Sequence, residues 1–177
     1  MPLLQISNLL SIARMLLAVP AVWAIVQDER TVAVTLFFVA AATDYLDGWF
    51  ARRLNQITEL GKLLDPIADK IFVAVMAVVM LAVGRIPLWL VVVILARDLI
   101  ILVGGLVVER RTGRVLPSNW TGKWAVGVLS ITMLLLYVGV DGIAVTIFII
   151  LTLVMLAVSL TMYGKRMWEV LRSEEAK

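Results

Sequence analysis

The stretch TDYLDGWFARRLNQITELGKLLDPIADK, residues 43–70, contains four aspartates and is flanked on both sides by long apolar segments. The acidic residues are Asp44, Asp47, Asp65 and Asp69. Ionised side chains are costly inside a lipid bilayer, and acids in membrane-spanning segments are usually functional. Both the fold and the function therefore depend on where this stretch lies in the chain.

The composition is that of a membrane protein. Of the 177 residues, 62% are hydrophobic, and the mean hydropathy is +1.01. Several apolar segments reach about 20 residues, the length that crosses the hydrocarbon core of a bilayer as a helix. The period-two alternation of a membrane barrel is absent. The sequence therefore predicts an all-α integral membrane protein.

Six transmembrane helices are predicted, because polar, glycine-containing or proline-containing breaks separate six apolar segments. The predicted spans are residues 6–26, 31–52, 59–82, 86–108, 119–139 and 142–163. They use most of the chain, so residues 1–177 are predicted to form a single transmembrane domain. Residues 164–177 are predicted to be a cytoplasmic tail. This tail is either a frayed polar end or a short interfacial helix whose lipid-facing residues would be Met167, Trp168 and Leu171.

The lysines and arginines cluster on one side of the predicted spans. That side carries Arg52, Arg53, Lys62, Arg110, Arg111, Arg114, Lys123, Lys165, Arg166, Arg172 and Lys177. The other side carries Arg30 and Arg85. The positive-inside rule places the first side and both termini in the cytoplasm. The four aspartates then lie at the cytoplasmic ends of the second and third spans, which predicts a polar pocket open to the cytoplasm.

The aspartate spacing matches a helix face on each of these two spans. Asp44 and Asp47 are three residues apart, and Gly61, Asp65 and Asp69 follow at intervals of four, so each set shares one face. A short loop joins the spans, so the two acidic faces can converge. Four carboxylates in one pocket repel each other unless a hard cation with oxygen ligands is bound. The sequence has no histidine or cysteine, which favours two Mg²⁺ or Mn²⁺ ions over zinc.

Structural interpretations compete with this metal site. The aspartates could instead form ion pairs with Arg52, Arg53 or Lys70 that hold the helices together. The glycines could serve helix packing instead of close approach by a ligand. Asn8 and Arg14, polar residues in the first span, could line the pocket or form hydrogen bonds between helices.

The quoted stretch resembles the signature of the CDP-alcohol phosphotransferase family, D-x-x-D-G-x-x-A-R, eight residues, then G-x-x-x-D-x-x-x-D. The matching positions are Asp44, Asp47, Gly48, Ala51, Arg52, Gly61, Asp65 and Asp69. Every spacing is kept. Six spans with the signature bridging the second and third also resemble this family, so the resemblance extends to the architecture of the whole chain.

The resemblance implies a transferase that acts on a CDP-linked lipid. A hydroxyl of an acceptor alcohol attacks the β-phosphorus, and CMP leaves. The implied metal ligands are Asp44, Asp47, Asp65 and Asp69, with Asp65 and Asp69 the catalytic residues and Asp69 a ligand or the general base. The implied CDP-binding residues are Asp44, Asp47, Gly48, Ala51, Arg52 and Gly61. The resemblance also implies a homodimer.

The acceptor is predicted from weaker signals. The segments LLDPIADK and ARDLII are most similar to the branch of the family that makes phosphatidylglycerophosphate from CDP-diacylglycerol and glycerol 3-phosphate, although Asp98 stands where that branch would have glutamate. A phosphate-bearing acceptor would be gripped by cationic side chains. The candidates are Arg97, Arg110, Arg111 and Lys123. The alternatives for these residues are ordinary positive-inside charge, attraction to anionic headgroups and, for Arg97, a buried pair with Asp98.

Several functions remain open from the sequence alone. Within the family, the acceptor could be phosphatidylglycerol, as in a cardiolipin synthase, or inositol phosphate. From another class, a divalent-cation channel or carrier would also use intramembrane acids, although here the acids stop on the cytoplasmic side. The net charge of +3 is too small to indicate a nucleic-acid partner. The expected location is the plasma membrane, with membrane lipids as the surroundings and the site facing the cytoplasm.

Overall fold

The computed structural model describes the backbone of residues 6–54, 59–113 and 120–175, and the side chains of residues 12–43, 69–113 and 120–173. The described backbone forms six α-helices joined by turns and contains no strand. The helices are α1 (Ile6–Val26), α2 (Arg30–Leu54), α3 (Glu59–Ala82), α4 (Leu88–Thr112), α5 (Trp120–Val138) and α6 (Ile143–Glu175). The prediction of an all-helical protein with six helices is confirmed.

Three of the described helices have the length and composition of membrane spans. Within the described residues, α4, α5 and α6 are long and apolar enough to cross a membrane. The parts of α1 and α2 with described side chains, Ile12–Val26 and Arg30–Thr43, are shorter apolar helices. Large apolar side chains are exposed, for example Leu16 at 65% and Ile143 at 80%. A surface of this kind suits contact with lipid and not with water, and the chain is a multi-pass membrane protein.

The first compact unit, Met1–Arg85, contains α1, α2 and α3. Helix α1 packs against both of the others. Its buried face contains Ala21 and Ala24, small residues that let helix backbones approach closely. Helix α3 contributes larger buried side chains, among them Met76 and Met80. Helix α1 is thus the common packing partner of the two helices that carry the acidic signature.

The second compact unit, Ile86–Lys177, contains α4, α5 and α6, with α6 packed against both α4 and α5. The α5–α6 contact contains a hydrogen bond of 2.7 Å between the hydroxyls of Thr132 and Thr152, both fully buried. The Thr132 hydroxyl also donates to the carbonyl of Val128 at 2.9 Å. Because lipid competes poorly for polar groups, hydrogen bonds of this type can join membrane helices.

Helix α6 continues beyond the predicted sixth span. It has 33 residues and includes 164–175, so the described part of the predicted tail is a helical extension. The extension packs on α4, because a Cβ added at Gly104 would lie 2.6 Å from Met167 Sδ and Cε. Met167 therefore fills the space over Gly104 instead of pointing to lipid as predicted, whereas Trp168 is exposed. Helix α4 itself ends where Gly113 adopts φ 66° and its amide donates to the carbonyl of Glu109.

Candidate active site

The acidic signature lies on the backbone of two helices, as predicted. Positions 44 and 47 fall in the second half of α2, and positions 61, 65 and 69 fall in the first half of α3. A helical backbone puts residues three or four apart on the same face. The side chains of seven predicted site residues lie outside the described set: Asp44, Asp47, Gly48, Ala51, Arg52, Gly61 and Asp65.

Asp69 is the signature residue whose side chain the structure describes. Its carboxylate is 40% exposed, and its Oδ1 is in contact with Nη1 of Arg14, which lies in the middle of α1. Arg14 is only 3% exposed. One end of this ion pair is therefore buried between α1 and α3, while the carboxylate end keeps an open face. Arg14 was expected either to line the pocket or to bond between helices, and it contacts a predicted site residue on another helix.

Arg97 occupies a buried polar cluster in the second unit. Its Nη1 donates to Oδ1 of Asp98 at 2.5 Å, and its Nη2 donates to Oγ of Ser159 on α6, also at 2.5 Å. Helix α5 reaches the same cluster at Gly122, where an added Cβ would lie 3.6 Å from Ser159 Oγ and 3.8 Å from Arg97 Nη2. Arg97 Nε and Thr121 Oγ1 are buried and have no hydrogen-bond partner within the described part of the chain.

The other three cationic candidates are exposed. Arg110 and Arg111 lie in the last turn of α4, and Lys123 lies in the first turn of α5. Lys123 Nζ is 6.0 Å from the centre of the Trp120 ring, within the range of a cation–π contact. The two arginines also complement the negative end of the α4 dipole. Their exposure leaves all three side chains accessible to an anion.

Two contacts in these sites were not predicted from the sequence. Ser159 is separated from Arg97 by 62 residues, and nothing in its local sequence distinguishes it from any other serine in an apolar helix. The contact of Arg14 with Asp69 was also not predicted, although an arginine within an apolar span indicates that some acidic or carbonyl partner must be near.

The predicted metal centre consists of carboxylate ligands alone. Among residues 12–43, 69–113 and 120–173, no group of three or more acidic side chains lies together as a cation site. Three of the four predicted ligands fall outside those ranges. The donor set itself, four carboxylates in a chain without histidine or cysteine, fits a hard divalent cation.

These features define a class, namely multi-pass helical membrane proteins with a carboxylate-rich signature on two consecutive helices. The chain belongs to the CDP-alcohol phosphatidyltransferase family, because the family model matches residues 4–163. The family resemblance of the signature is thereby confirmed. The matched region ends near the start of the α6 extension.

The chain is similar to proteins that carry the names of two enzymes. The chain is 38% identical over 105 residues to the CDP-diacylglycerol–glycerol-3-phosphate 3-phosphatidyltransferase of Bacillus subtilis, covering 58% of this chain and 53% of that protein. It is 32% identical over 133 residues to the protein of the same name from Aquifex aeolicus, covering 74% of each. It is 40% identical over 132 residues to the cardiolipin synthase (CMP-forming) of Streptomyces coelicolor, covering 69% of this chain and 60% of that protein. For the first and third, the chain spans less than two thirds of the relative's length.

Proposed function

We propose that the protein transfers the phosphatidyl group of CDP-diacylglycerol to glycerol 3-phosphate, giving phosphatidylglycerophosphate and CMP. The observation that carries this proposal is the complete signature from Asp44 to Asp69 in a chain matched by the family model. The relatives from Bacillus subtilis and Aquifex aeolicus carry the name of this reaction.

The chemistry assigns a proton acceptor. The hydroxyl oxygen of the acceptor forms a bond to the phosphorus of the phosphatidyl group, the bond from that phosphorus to CMP breaks, and the hydroxyl proton must go to a base. With no histidine in the chain, a carboxylate is the natural base. Asp69 suits this role because its carboxylate keeps 40% exposure. Asp65, one helical turn earlier on the same face, is the second proposed catalytic residue.

The same aspartates would bind metal. CDP-alcohol phosphatidyltransferases generally depend on a divalent metal. We expect Asp44, Asp47, Asp65 and Asp69 to hold two Mg²⁺ or Mn²⁺ ions. Bound ions of this kind neutralise phosphate charge and polarise the reacting oxygens. The proposed CDP-binding residues are Asp44, Asp47, Gly48, Ala51, Arg52 and Gly61.

The acceptor phosphate is proposed to bind cationic side chains. Arg110, Arg111 and Lys123 are exposed, and Arg97 Nε has unused hydrogen-bonding capacity among the described residues. If Lys123 contacts the phosphate, Lys123→Gln raises KM for glycerol 3-phosphate by about tenfold, because a charge-assisted hydrogen bond contributes about 1.5–3 kcal/mol. KM for CDP-diacylglycerol serves as the internal control and should change by less than about threefold.

A second acceptor is favoured by a specific observation. The relative from Streptomyces coelicolor is named cardiolipin synthase (CMP-forming). In the corresponding reaction the acceptor would be phosphatidylglycerol. Both acceptors carry a phosphate group on the same glycerol as the attacking hydroxyl, a monoester in glycerol 3-phosphate and a diester in phosphatidylglycerol, so the cationic side chains would serve either one.

The proposed setting is the plasma membrane, with the site open to the cytoplasm and the protein a homodimer. The orientation is supported by the distribution of lysine and arginine, since the positive-inside rule favours a cytoplasmic location for the basic helix ends. Labelling of single cysteines introduced at Arg30 and at Arg111 in intact cells tests the orientation, since the chain has no native cysteine. Residue 30 should react with a membrane-impermeant thiol reagent, and residue 111 should react only after permeabilisation.

The decisive experiment measures CMP release by the purified protein with Mg²⁺, CDP-diacylglycerol and one acceptor at a time. The acceptors are glycerol 3-phosphate, phosphatidylglycerol, inositol phosphate and serine. Release should require glycerol 3-phosphate and be lost in Asp69→Asn. Asp28→Asn is the matched control, because it makes the same carboxylate-to-amide change at an exposed position outside the signature.

The other outcomes separate the alternatives. Release with phosphatidylglycerol alone assigns the protein to the cardiolipin synthase reaction, and release with inositol phosphate alone to that acceptor. If folded protein that binds Mn²⁺ releases no CMP with any acceptor, the transferase proposal fails. Measurement of divalent-cation flux in proteoliposomes then tests the transporter alternative.

A further inference from the structure

We infer that Arg14 is a positioning residue for Asp69, holding the carboxylate in the orientation in which it accepts the proton. The inference rests on the proposed function and adds to it a residue from α1, a helix that carries no part of the acidic signature. Its basis is the contact between Arg14 Nη1 and Asp69 Oδ1.

The burial of Arg14 explains why a partner is required. Burial of a guanidinium is costly unless its charge and its N–H donors are matched within the protein. At 3% exposure in the middle of an apolar helix, it must be matched by an acid or by carbonyl oxygens. Asp69 supplies a full negative charge from the neighbouring helix.

The asymmetry of the pair indicates positioning and not simple cross-linking of helices. Arg14 is fixed by burial, while Asp69 is 40% exposed. An aspartate with that exposure would otherwise rotate among several orientations. Contact of Oδ1 with Arg14 Nη1 restricts this rotation. An oriented base lowers the entropy cost of bringing the hydroxyl and the carboxylate together.

The packing of α1 makes a purely structural role unnecessary. Helix α1 also packs against α3, and both helices bury apolar side chains, Ala21 and Ala24 on α1 and Met76 and Met80 on α3. A buried ion pair adds little net stability beyond such packing, since desolvation offsets most of the attraction. The role of Arg14 therefore follows from its contact with Asp69, the proposed catalytic base, and not from helix packing.

The kinetic test uses Arg14→Gln, Asp69→Asn and the double variant. Arg14→Gln should lower kcat for CMP release by about 100-fold, the usual cost of a misplaced reacting group. KM for CDP-diacylglycerol should change by less than about threefold. The double variant should be no slower than Asp69→Asn alone, because Arg14 acts through Asp69. Arg14→Lys should recover only part of kcat, because an ammonium lacks the planar fork of the guanidinium.

A second readout does not depend on activity. In EDTA, Asp69→Asn replaces the carboxylate that contacts the buried guanidinium with a neutral amide, so the melting temperature of the variant should fall by about 5 °C or more. The double variant should melt higher than Asp69→Asn, because it removes both charges. Arg85→Gln is the matched control: it breaks the exposed Arg85–Asp28 pair, beyond the other end of α3, and should show no coupling to Asp69→Asn.

The outcomes distinguish this inference from the proposed function. Additive losses of kcat, or melting temperatures that show no coupling between Arg14 and Asp69, overturn the inference even if CMP release is robust. Wild-type protein that releases no CMP overturns the proposed function, and with it the assignment of Arg14 to a catalytic base. Coupling between Arg14 and Asp69 in both kcat and melting temperature supports the inference and the proposed function together.

Discussion

Each of the two helical units buries an arginine, and the two arginines are neutralised differently. Arg14 contacts an acid on a different helix, and that acid is 40% exposed. Arg97 contacts the next residue in its own helix, Asp98, which is 18% exposed, and reaches across to Ser159 on α6. The first pair joins two helices, and its carboxylate is partly exposed. In the second pair, the arginine charge is neutralised by an acid of the same helix.

The difference separates two uses of charge in an apolar environment. An acid in the adjacent position supplies neutrality without constraining any other helix, so the link of Arg97 to α6 depends on a neutral hydroxyl. An acid on another helix is held in place by the arginine, and its exposure leaves it available for chemistry. We therefore expect substitutions around Arg14 to affect activity most, and substitutions around Arg97 to affect stability most.

The largest expected effect is the activity ratio of two matched variants. Asp69→Asn and Asp98→Asn make the same change beside a buried arginine. Asp69→Asn should lower kcat for CMP release by about 1,000-fold, within the range for loss of a general base. Asp98→Asn should retain at least about 100 times more activity than Asp69→Asn per folded molecule. Equal losses in the two variants would remove the distinction between the units.

The next effect is on the stability of the second unit. Asp98→Asn leaves the Arg97 guanidinium buried at 7% exposure without its charge partner, which should destabilise the protein by about 3 kcal/mol. The melting temperature should fall by about 6–10 °C. Thermal unfolding in detergent measures this, with Asp141→Asn, an exposed acid of the same unit, as control. An unchanged melting temperature would show that another group compensates the charge of Arg97.

A smaller effect is expected at Ser159. Ser159→Ala leaves Arg97 Nη2 without its acceptor, a loss of about 1–3 kcal/mol. Thr161→Val is the control, because it removes a hydroxyl two residues along the same helix that is exposed and bonded only to its own helix in the described contacts. We expect Ser159→Ala to lower the melting temperature and Thr161→Val to leave it unchanged. A lower melting temperature in Thr161→Val than in Ser159→Ala would contradict the prediction.

The hydrogen bond between Thr132 and Thr152 joins two uncharged side chains, so substitution there should cost less stability than substitution beside either buried arginine. Thr132→Val removes one partner of the Thr132–Thr152 hydrogen bond and should cost about 1 kcal/mol. The double variant Thr132→Val/Thr152→Val should be at least as stable as the single one, because no unpaired hydroxyl remains. Additive destabilisation would indicate that each hydroxyl has a separate role.

The smallest effect is expected at the exposed ion pair. Arg85 Nη2 lies 2.9 Å from Asp28 Oδ1, with side-chain exposures of 28% and 58%. Solvent screening reduces the worth of such a pair, so Arg85→Gln should cost no more than about 1 kcal/mol. Measurement of melting temperature at low and high salt checks this, since any loss should shrink as the ionic strength rises.

The sequence predicted most of the architecture, because membrane spans are recognised by their length and apolarity, and both can be read directly from the sequence. The signature also predicted the helices that carry the site, since the spacing of Asp65 and Asp69 is itself a helical repeat. Contacts between helices could not be predicted in the same way. Arg14 and Asp69 are 55 positions apart, and Ser159 is one of many small polar residues in apolar helices. For the segment after residue 163, both a frayed end and a short helix were left open, because its charged residues are compatible with either; the structure shows a helix.

The extension of α6 also offers a practical means of studying the protein. A helix of 33 residues is about 50 Å long, well beyond the ~30 Å of the hydrocarbon layer. The contact of Met167 with Gly104 fastens the extension to α4. A soluble partner fused in helical register after Ser173 would therefore move as one body with α4–α6. Such a fusion would give a small membrane protein the added mass and fixed orientation that particle alignment requires in electron cryomicroscopy.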